Sequence, residues 1–88
     1  MSWVCSISRE ATKEIQSFPK PPQKQIYTSL QEMETNPFQG DVCVIRSGKF
    51  QHCHRKRVGK YRVIFQLDTL KKIVLVLTIL RRGDTTYN

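Results

Sequence analysis

Hydrophobic spacing changes once along this chain, near residue 40. From Trp3 to Ile7 apolar and polar residues alternate, which is the pattern of a short edge strand. Ser8 follows with an N-cap oxygen, and Glu10 sits in the first turn, where the helix dipole favours an acid. Ile7, Ala11, Ile15 and Phe18 then recur at helical spacing. Pro19 stops this helix, because the residue before a proline is pushed out of helical conformation. Pro21 and Pro22 suit the opening of a second helix, whose first turn needs no N–H partners. Its apolar stripe is Ile26, Leu30 and Met33, with Tyr27 alongside, and Asn36-Pro37 ends it.

Beyond Gly40 the period falls to two. Residues 50–58 are a candidate strand, Val58-Gly59-Lys60 a tight turn, and residues 61–67 the next strand, rich in β-branched and aromatic side chains. Residues 68–71 turn again, and residues 73–80 form the most apolar strand. Two short turns in succession require an antiparallel meander, since a parallel crossover needs a dozen or more residues. The expected fold class is α+β: an N-terminal helical hairpin packed on one face of a three- to four-stranded, mostly antiparallel sheet.

The chain has 88 residues, no repeat and no linker, so residues 1–88 are expected to form one domain. A domain this small buries only about 60% of its unfolded surface, which makes a thin core. The net charge is +8, and it is lopsided. Residues 1–44 carry four basic and five acidic side chains, whereas residues 45–88 carry eleven basic and two acidic. A one-sided positive field attracts a polyanion such as nucleic acid, an anionic membrane or an acidic protein segment. The bland reading is a solvated face that maintains solubility.

Cys5, Cys43 and Cys53 are odd in number and form no closely spaced pair, which suggests neither a disulfide framework nor a zinc site. Cys5 and Cys53 are expected to fill space as small apolar residues. The N-terminus lacks the pattern of a signal peptide, and the longest apolar run is far too short to span a bilayer. The expected compartment is the cytoplasm, with no membrane partner.

The segment from Arg55 to Arg62 holds five basic residues in eight: Arg55, Lys56, Arg57, Lys60 and Arg62. Strand alternation sets Arg55 and Arg57 on one face. If Tyr61, Val63, Phe65 and Leu67 face the helices, Arg62 joins those arginines on the open face. Arg81 and Arg82 follow the neighbouring strand, and one of them can reach the same surface. Arginine suits phosphate because its fork donates two parallel hydrogen bonds and stays charged. Such a face would bind an RNA backbone and stabilise the charge that builds on phosphate oxygens in a phosphorane transition state. Tyr87 could stack on a base or pass a proton.

Two-metal nuclease chemistry needs clustered carboxylates, and the basic half offers only Asp68 and Asp84. A metal-free ribonuclease is the alternative, with the RNA's own 2′-hydroxyl attacking the adjacent phosphate. His52 and His54 resemble metal ligands at first sight. In a strand, however, they share a face from which Cys53 points away. His54 is retained as a candidate acid or base, because imidazole titrates near neutrality. No glycine-rich phosphate loop, nucleophile elbow or dinucleotide fingerprint is present, so no cofactor is expected.

The run from His54 through Arg55, Arg57, Val58, Gly59, Tyr61 and Arg62 to Phe65 resembles the signature of the RelE/ParE toxin superfamily. The later strand, closed by Arg81-Arg82 and Tyr87, is similar to that family's last strand and catalytic tail, and Gly40-Asp41-Val42 matches a comparable Gly-Asp-Val. The resemblance spans nearly the whole chain, and its specific part is residues 54–87. It implies a RelE-type mRNA interferase: a ribosome-dependent endoribonuclease that inhibits translation and is neutralised by a cognate antitoxin. With the antitoxin, it implies a hetero-oligomer that binds operator DNA. By position, Arg55, Arg57, Arg62, Arg82 and Tyr87 carry the catalytic roles, and Lys56, Lys60 and Arg81 the RNA-binding ones. The sequence departs from the pattern at His54, where an aromatic is usual, at Lys56, where an apolar residue is usual, and at Lys60, which replaces a common Asp. Three other readings stand beside the interferase: a ParE-like inhibitor of a topoisomerase (gyrase) without nuclease activity, a non-catalytic RNA-binding module, and an inactivated toxin.

Overall fold

The structure, a computed structural model, describes residues 2–81. Arg82 and Tyr87 lie outside the described residues. The elements run β1 (Val4–Ile7), α1 (Arg9–Ser17), α2 (Lys20–Thr35), β2 (Val42–Val44), β3 (His54–Val58), β4 (Tyr61–Asp68) and β5 (Ile73–Arg81). The strands form one sheet in the order β1-β5-β4-β3-β2, parallel between β1 and β5 and antiparallel elsewhere. The α+β class and the helical hairpin stand as expected, but the sheet has five strands rather than three or four. The additional strand is β2, three residues paired to the edge of β3. So short a run carries no readable period.

Local chemistry fixes the helices. The Ser8 hydroxyl accepts the Ala11 N–H at 3.0 Å and donates to the Leu77 carbonyl at 2.8 Å, so one cap both starts α1 and ties it to β5. The Ile15 carbonyl accepts the Phe18 N–H at 3.1 Å and the Gln23 side-chain amide at 3.0 Å, which ties the end of α1 to the first turns of α2. Pro21 and Pro22 lie in the first turn of α2.

Ala11, Ile15, Ile26, Leu30 and Met33 of the helices pack on Val58, Tyr61, Val63, Phe65, Val74, Val76 and Ile79 of the sheet. Each large side chain buried here contributes roughly 1.5–3 kcal/mol. Cys5 packs against this core as expected and donates to the Leu30 carbonyl; burial, with Glu34 nearby, raises its thiol pKa to about 11.

A bulge in β5 adjusts this layer. Ile64 pairs with Thr78 but Phe65 with Val76, which leaves Leu77 as the extra residue. Strand β1 ends opposite Val76, and α1 takes over from there. The Glu14 carboxylate accepts the Thr78 hydroxyl at 2.7 Å and the Ile79 N–H at 3.0 Å, covering backbone that β1 no longer reaches.

The strand expected over residues 50–58 starts only at His54. Phe50 to His52 form a turn, with the Cys53 N–H on the Phe50 carbonyl and His52 at φ 74. The loop across residues 45–53 folds over the sheet's second face, where Ile45, Cys53 and Ile64 make a small core flanked by Phe50, Leu77 and Leu80. That face is therefore part aliphatic rather than uniformly basic. Among the described residues no helix is long and apolar enough to cross a membrane.

Candidate functional site: the arginine face of the sheet

Cross-strand register builds the open face in rows. Arg57 on β3 stands opposite Arg62 on β4, which in turn stands opposite Leu80 on β5. The next row runs from Cys43 on β2 through Arg55 to Ile64. The hairpin that aligns these rows is the shortest available: Val58 pairs with Tyr61 across Gly59 and Lys60. Gly59 takes φ 57, a conformation that costs a side-chain-bearing residue free energy.

Asp41 organises the arginines. Its carboxylate lies 3.8 Å from Arg55 and 3.5 Å from Arg57, and its carbonyl accepts the Arg57 N–H at 3.0 Å. Arg55 also donates to the Cys43 sulfur, at 2.8 Å and 3.2 Å from its two nitrogens. Gly40, at φ 87, lets the chain enter β2 beside the Lys56 stem, which a Cβ there would approach to 3.4 Å. Sequence reasoning noted Gly40-Asp41-Val42 as a motif but missed that Asp41 holds both arginines, and it did not single out Cys43. The sequence separation of about fifteen residues hides a contact that only strand pairing creates.

Arg57, Arg62, Lys60 and Tyr61 line a hollow of about 150 Å³ at the hairpin end. Arg57 and Arg62 face each other directly, and like charges so placed repel. An anion bound between them would be attracted by both guanidinium groups. The Asp41 carboxylate is 55% exposed, and an exposed ion pair contributes only about 0–1 kcal/mol, so a phosphate can displace it.

Three expected site residues lie elsewhere. Lys56 points to the helix side, is buried, and pairs with Glu32 of α2 at 3.4 Å. Arg81 pairs in register with Tyr61, whose ring belongs to the helix-side core, so Arg81 shares that side and not the arginine face. His54 stacks on Phe65 at 5.4 Å and meets Phe38 edge-on at 5.9 Å. Its Nδ1 is buried without a hydrogen-bond partner, and burial pushes its pKa below the ordinary 6.5. His52 stands in the turn, outside the strand that would have aligned it with His54. The alternation that sets Arg55 and Arg57 on the open face turns His54 and Lys56 inward, where the two aromatic contacts and the Glu32 partner receive them.

Comparison with known proteins fits this geometry. Residues 6–85 match the family described as ParE toxin of type II toxin-antitoxin system, parDE. A search of curated protein sequences finds no match. Among solved structures, a chain of the archaeal RelE-RelB complex from Pyrococcus horikoshii OT3 is similar, with a TM-score of 0.81 and 25% identity over 97% of this chain and 100% of that one. A chain of the RelBE2 toxin-antitoxin complex from Mycobacterium tuberculosis gives 0.82 at 14% identity, covering 93% and 100%. The isolated E. coli RelE toxin gives 0.75 at 17% identity, covering 96% and 88%. The match over nearly the whole chain, on a sheet whose open face carries the signature arginines, makes this chain a member of the ParE toxin family of type II toxin-antitoxin systems, with a RelE-like fold.

Proposed function

We propose that this chain is a metal-independent mRNA endoribonuclease that acts at the ribosome in the cytoplasm and inhibits translation. The whole chain works as one domain. The observation that carries this reading is the direct opposition of Arg57 and Arg62 beside Arg55, on an open sheet face where Arg57, Lys60 and Arg62 line one hollow. The RNA's 2′-hydroxyl loses its proton and attacks the adjacent phosphate. The bond from that phosphorus to the next nucleotide's 5′-oxygen breaks to leave a 2′,3′-cyclic phosphate, and the departing oxygen takes up a proton. The arginines hold the charge that develops on the phosphate oxygens. Arginine hardly ever deprotonates, so stabilisation of charge and not proton abstraction is its role. Arg82 adds a further guanidinium after the last strand. Tyr87 stacks on a base or transfers a proton. Lys60, on the hollow, contacts the RNA backbone, whereas Lys56 and Arg81 serve other purposes than gripping the reacting phosphate.

The partner is a cognate antitoxin with an acidic, amphipathic segment that covers the arginine face and folds on binding. The similar chains from Pyrococcus horikoshii and Mycobacterium tuberculosis come from a RelE-RelB complex and a RelBE2 toxin-antitoxin complex, which supports an antitoxin partner. The toxin-antitoxin hetero-oligomer would bind operator DNA.

The ParE family match favours a second reading, inhibition of a topoisomerase without nuclease activity. Induced expression separates the two, with wild type beside the double variant Arg62→Ala, Tyr87→Ala. Growth arrest with discrete mRNA cuts, both lost in the double variant, is the expected result. Arrest without cuts would transfer the assignment to the topoisomerase. No arrest from folded protein would leave a non-catalytic RNA-binding or inactivated toxin.

A further inference from the structure

The positive surface does not stop at the hairpin. The hollow lined by Arg57, Lys60 and Arg62 shares Gly59 with a groove of about 560 Å³ between α2 and the β3–β4 turn. Lys24, Gln25, Thr28 and Ser29 of α2 line that groove. It shares Lys24 and Thr28 in turn with a second groove of about 430 Å³, along which Lys20 and the exposed Tyr27 lie. Shared lining residues thus set the three depressions side by side, from the arginine face round the turn and onto the outer face of α2.

The lysines along this path differ from the other cations nearby. Among the described residues Lys20, Lys24 and Lys60 make no ion pair, whereas Lys56 is matched by Glu32 and Arg57 by Asp41. Residues 20–31 contain two lysines, no acid, and a set of Gln, Thr, Ser and Tyr side chains able to hydrogen-bond. The first turn of α2 also carries no acidic residue. Lysine in that position opposes the helix dipole, a cost that a polyanion lying alongside would offset.

We infer that this path is a track for single-stranded RNA flanking the cleaved nucleotide, with Lys20, Lys24 and Lys60 on successive phosphates and Tyr27 offering a face for a base. The inference rests on the ribonuclease reading above, since it extends the same substrate beyond the reacting phosphate. Lysine alternating with amide and hydroxyl groups suits a sequence-tolerant grip on backbone.

Fluorescence anisotropy with labelled oligouridine of about 4 and about 15 nucleotides tests it. The proteins are wild type, the double variant Lys20→Ala, Lys24→Ala, and Arg62→Ala. Alanine is the best helix former, so α2 persists in the lysine variant, and circular dichroism checks it. Wild type should bind the longer RNA at least about tenfold more tightly, because more phosphates are engaged. The lysine variant should lose most of that gain, bind the short RNA as wild type does, and show a salt slope reduced by about 1.4. Full retention of the length gain and of the slope by the lysine variant overturns the track. A wild type that binds neither RNA instead defeats the ribonuclease reading and the track with it, whereas Arg62→Ala, altered at the reacting phosphate and not along the track, should keep the length gain. Lysine substitutions that weaken only the capture of polyglutamate would make this a docking surface for an acidic protein, and the RNA track would fall.

Discussion

Strand β3 shows two different treatments of positive charge within five residues. Towards the helices it turns His54, Lys56 and Val58; towards the open face it turns Arg55 and Arg57. Lys56 is 4% exposed and faces Glu32, whereas the Arg57 side chain is 55% exposed and faces a half-open Asp41. A buried ammonium loses its hydration and must keep its partner, so Lys56 is committed to the fold. An exposed guanidinium keeps much of its water and can exchange one anion for another. The lesson is that charge density along a sequence does not identify a binding site; the face and the depth of each charge decide whether it is available.

The two faces can be broken independently. The largest effect falls on the helix side: Phe65→Ala removes a fully buried ring at the centre of the core and should cost about 3–5 kcal/mol in urea unfolding. For so small a domain that is a large part of the total stability. A loss under about 1 kcal/mol would show that the helices do not pack on β4 as described. Arg62→Ala inverts the outcome. It truncates a side chain that lies outside the core, so the cost in stability should be about 1 kcal/mol or less, well below that of Phe65→Ala. RNA cleavage should fall by about 10²–10³, the loss seen when one preorganised donor to transition-state charge is removed. Equal losses of rate and of binding would mean that Arg62 only binds.

A smaller effect sharpens the contrast within β3 itself. Lys56→Met keeps the length and apolar stem of the side chain, and it frees Glu32, whose carboxylate is 48% exposed and can rehydrate. Unfolding free energy should change by less than about 1 kcal/mol, and cleavage should be unaltered. Retained stability with cleavage lost tenfold or more would return Lys56 to the RNA-contacting set.

Much of this was legible before any coordinates. Both helices carry their start and stop signals locally, in Ser8, Pro19, Pro21 and Asn36, and each apolar stripe repeats for at least two turns. The alternation through Tyr61, Val63 and Phe65 fixed which way Arg62 must face. Long-range features were not legible. Strand β2 is too short to show a period, and the bulge at Leu77 depends on where β1 stops, seventy residues earlier in sequence. Asp41 and Cys43 join the site only through pairing of β2 with β3. The excess of arginine near residues 55–62 pointed to a basic face; Phe50, Leu77 and Leu80, drawn from distant segments, make part of it apolar.

The smallest effect concerns His54, the residue that departs from the family's usual aromatic. Its ring lies between Phe38 and Phe65, and its buried Nδ1 finds no partner, so the neutral form suits the site. Burial therefore holds its pKa below 6.5 in the folded protein, while the unfolded chain titrates at about the ordinary value. Between those two values the unfolded state binds more protons. The contribution to stability is complete above about pH 6.5 and is lost as pH falls through that value towards the lowered folded pKa. Urea unfolding followed from about pH 7.5 down to about pH 5 should thus show wild type weakening by more than His54→Phe, which keeps the stack and has nothing to protonate. Cleavage measured across the same range should keep its pH profile in His54→Phe, because the imidazole faces the helices and the arginines face away. If the substitution instead abolished cleavage while leaving stability unchanged, His54 would have to reach the arginine face through a rearrangement of β3, and the division of labour between the two faces would not hold.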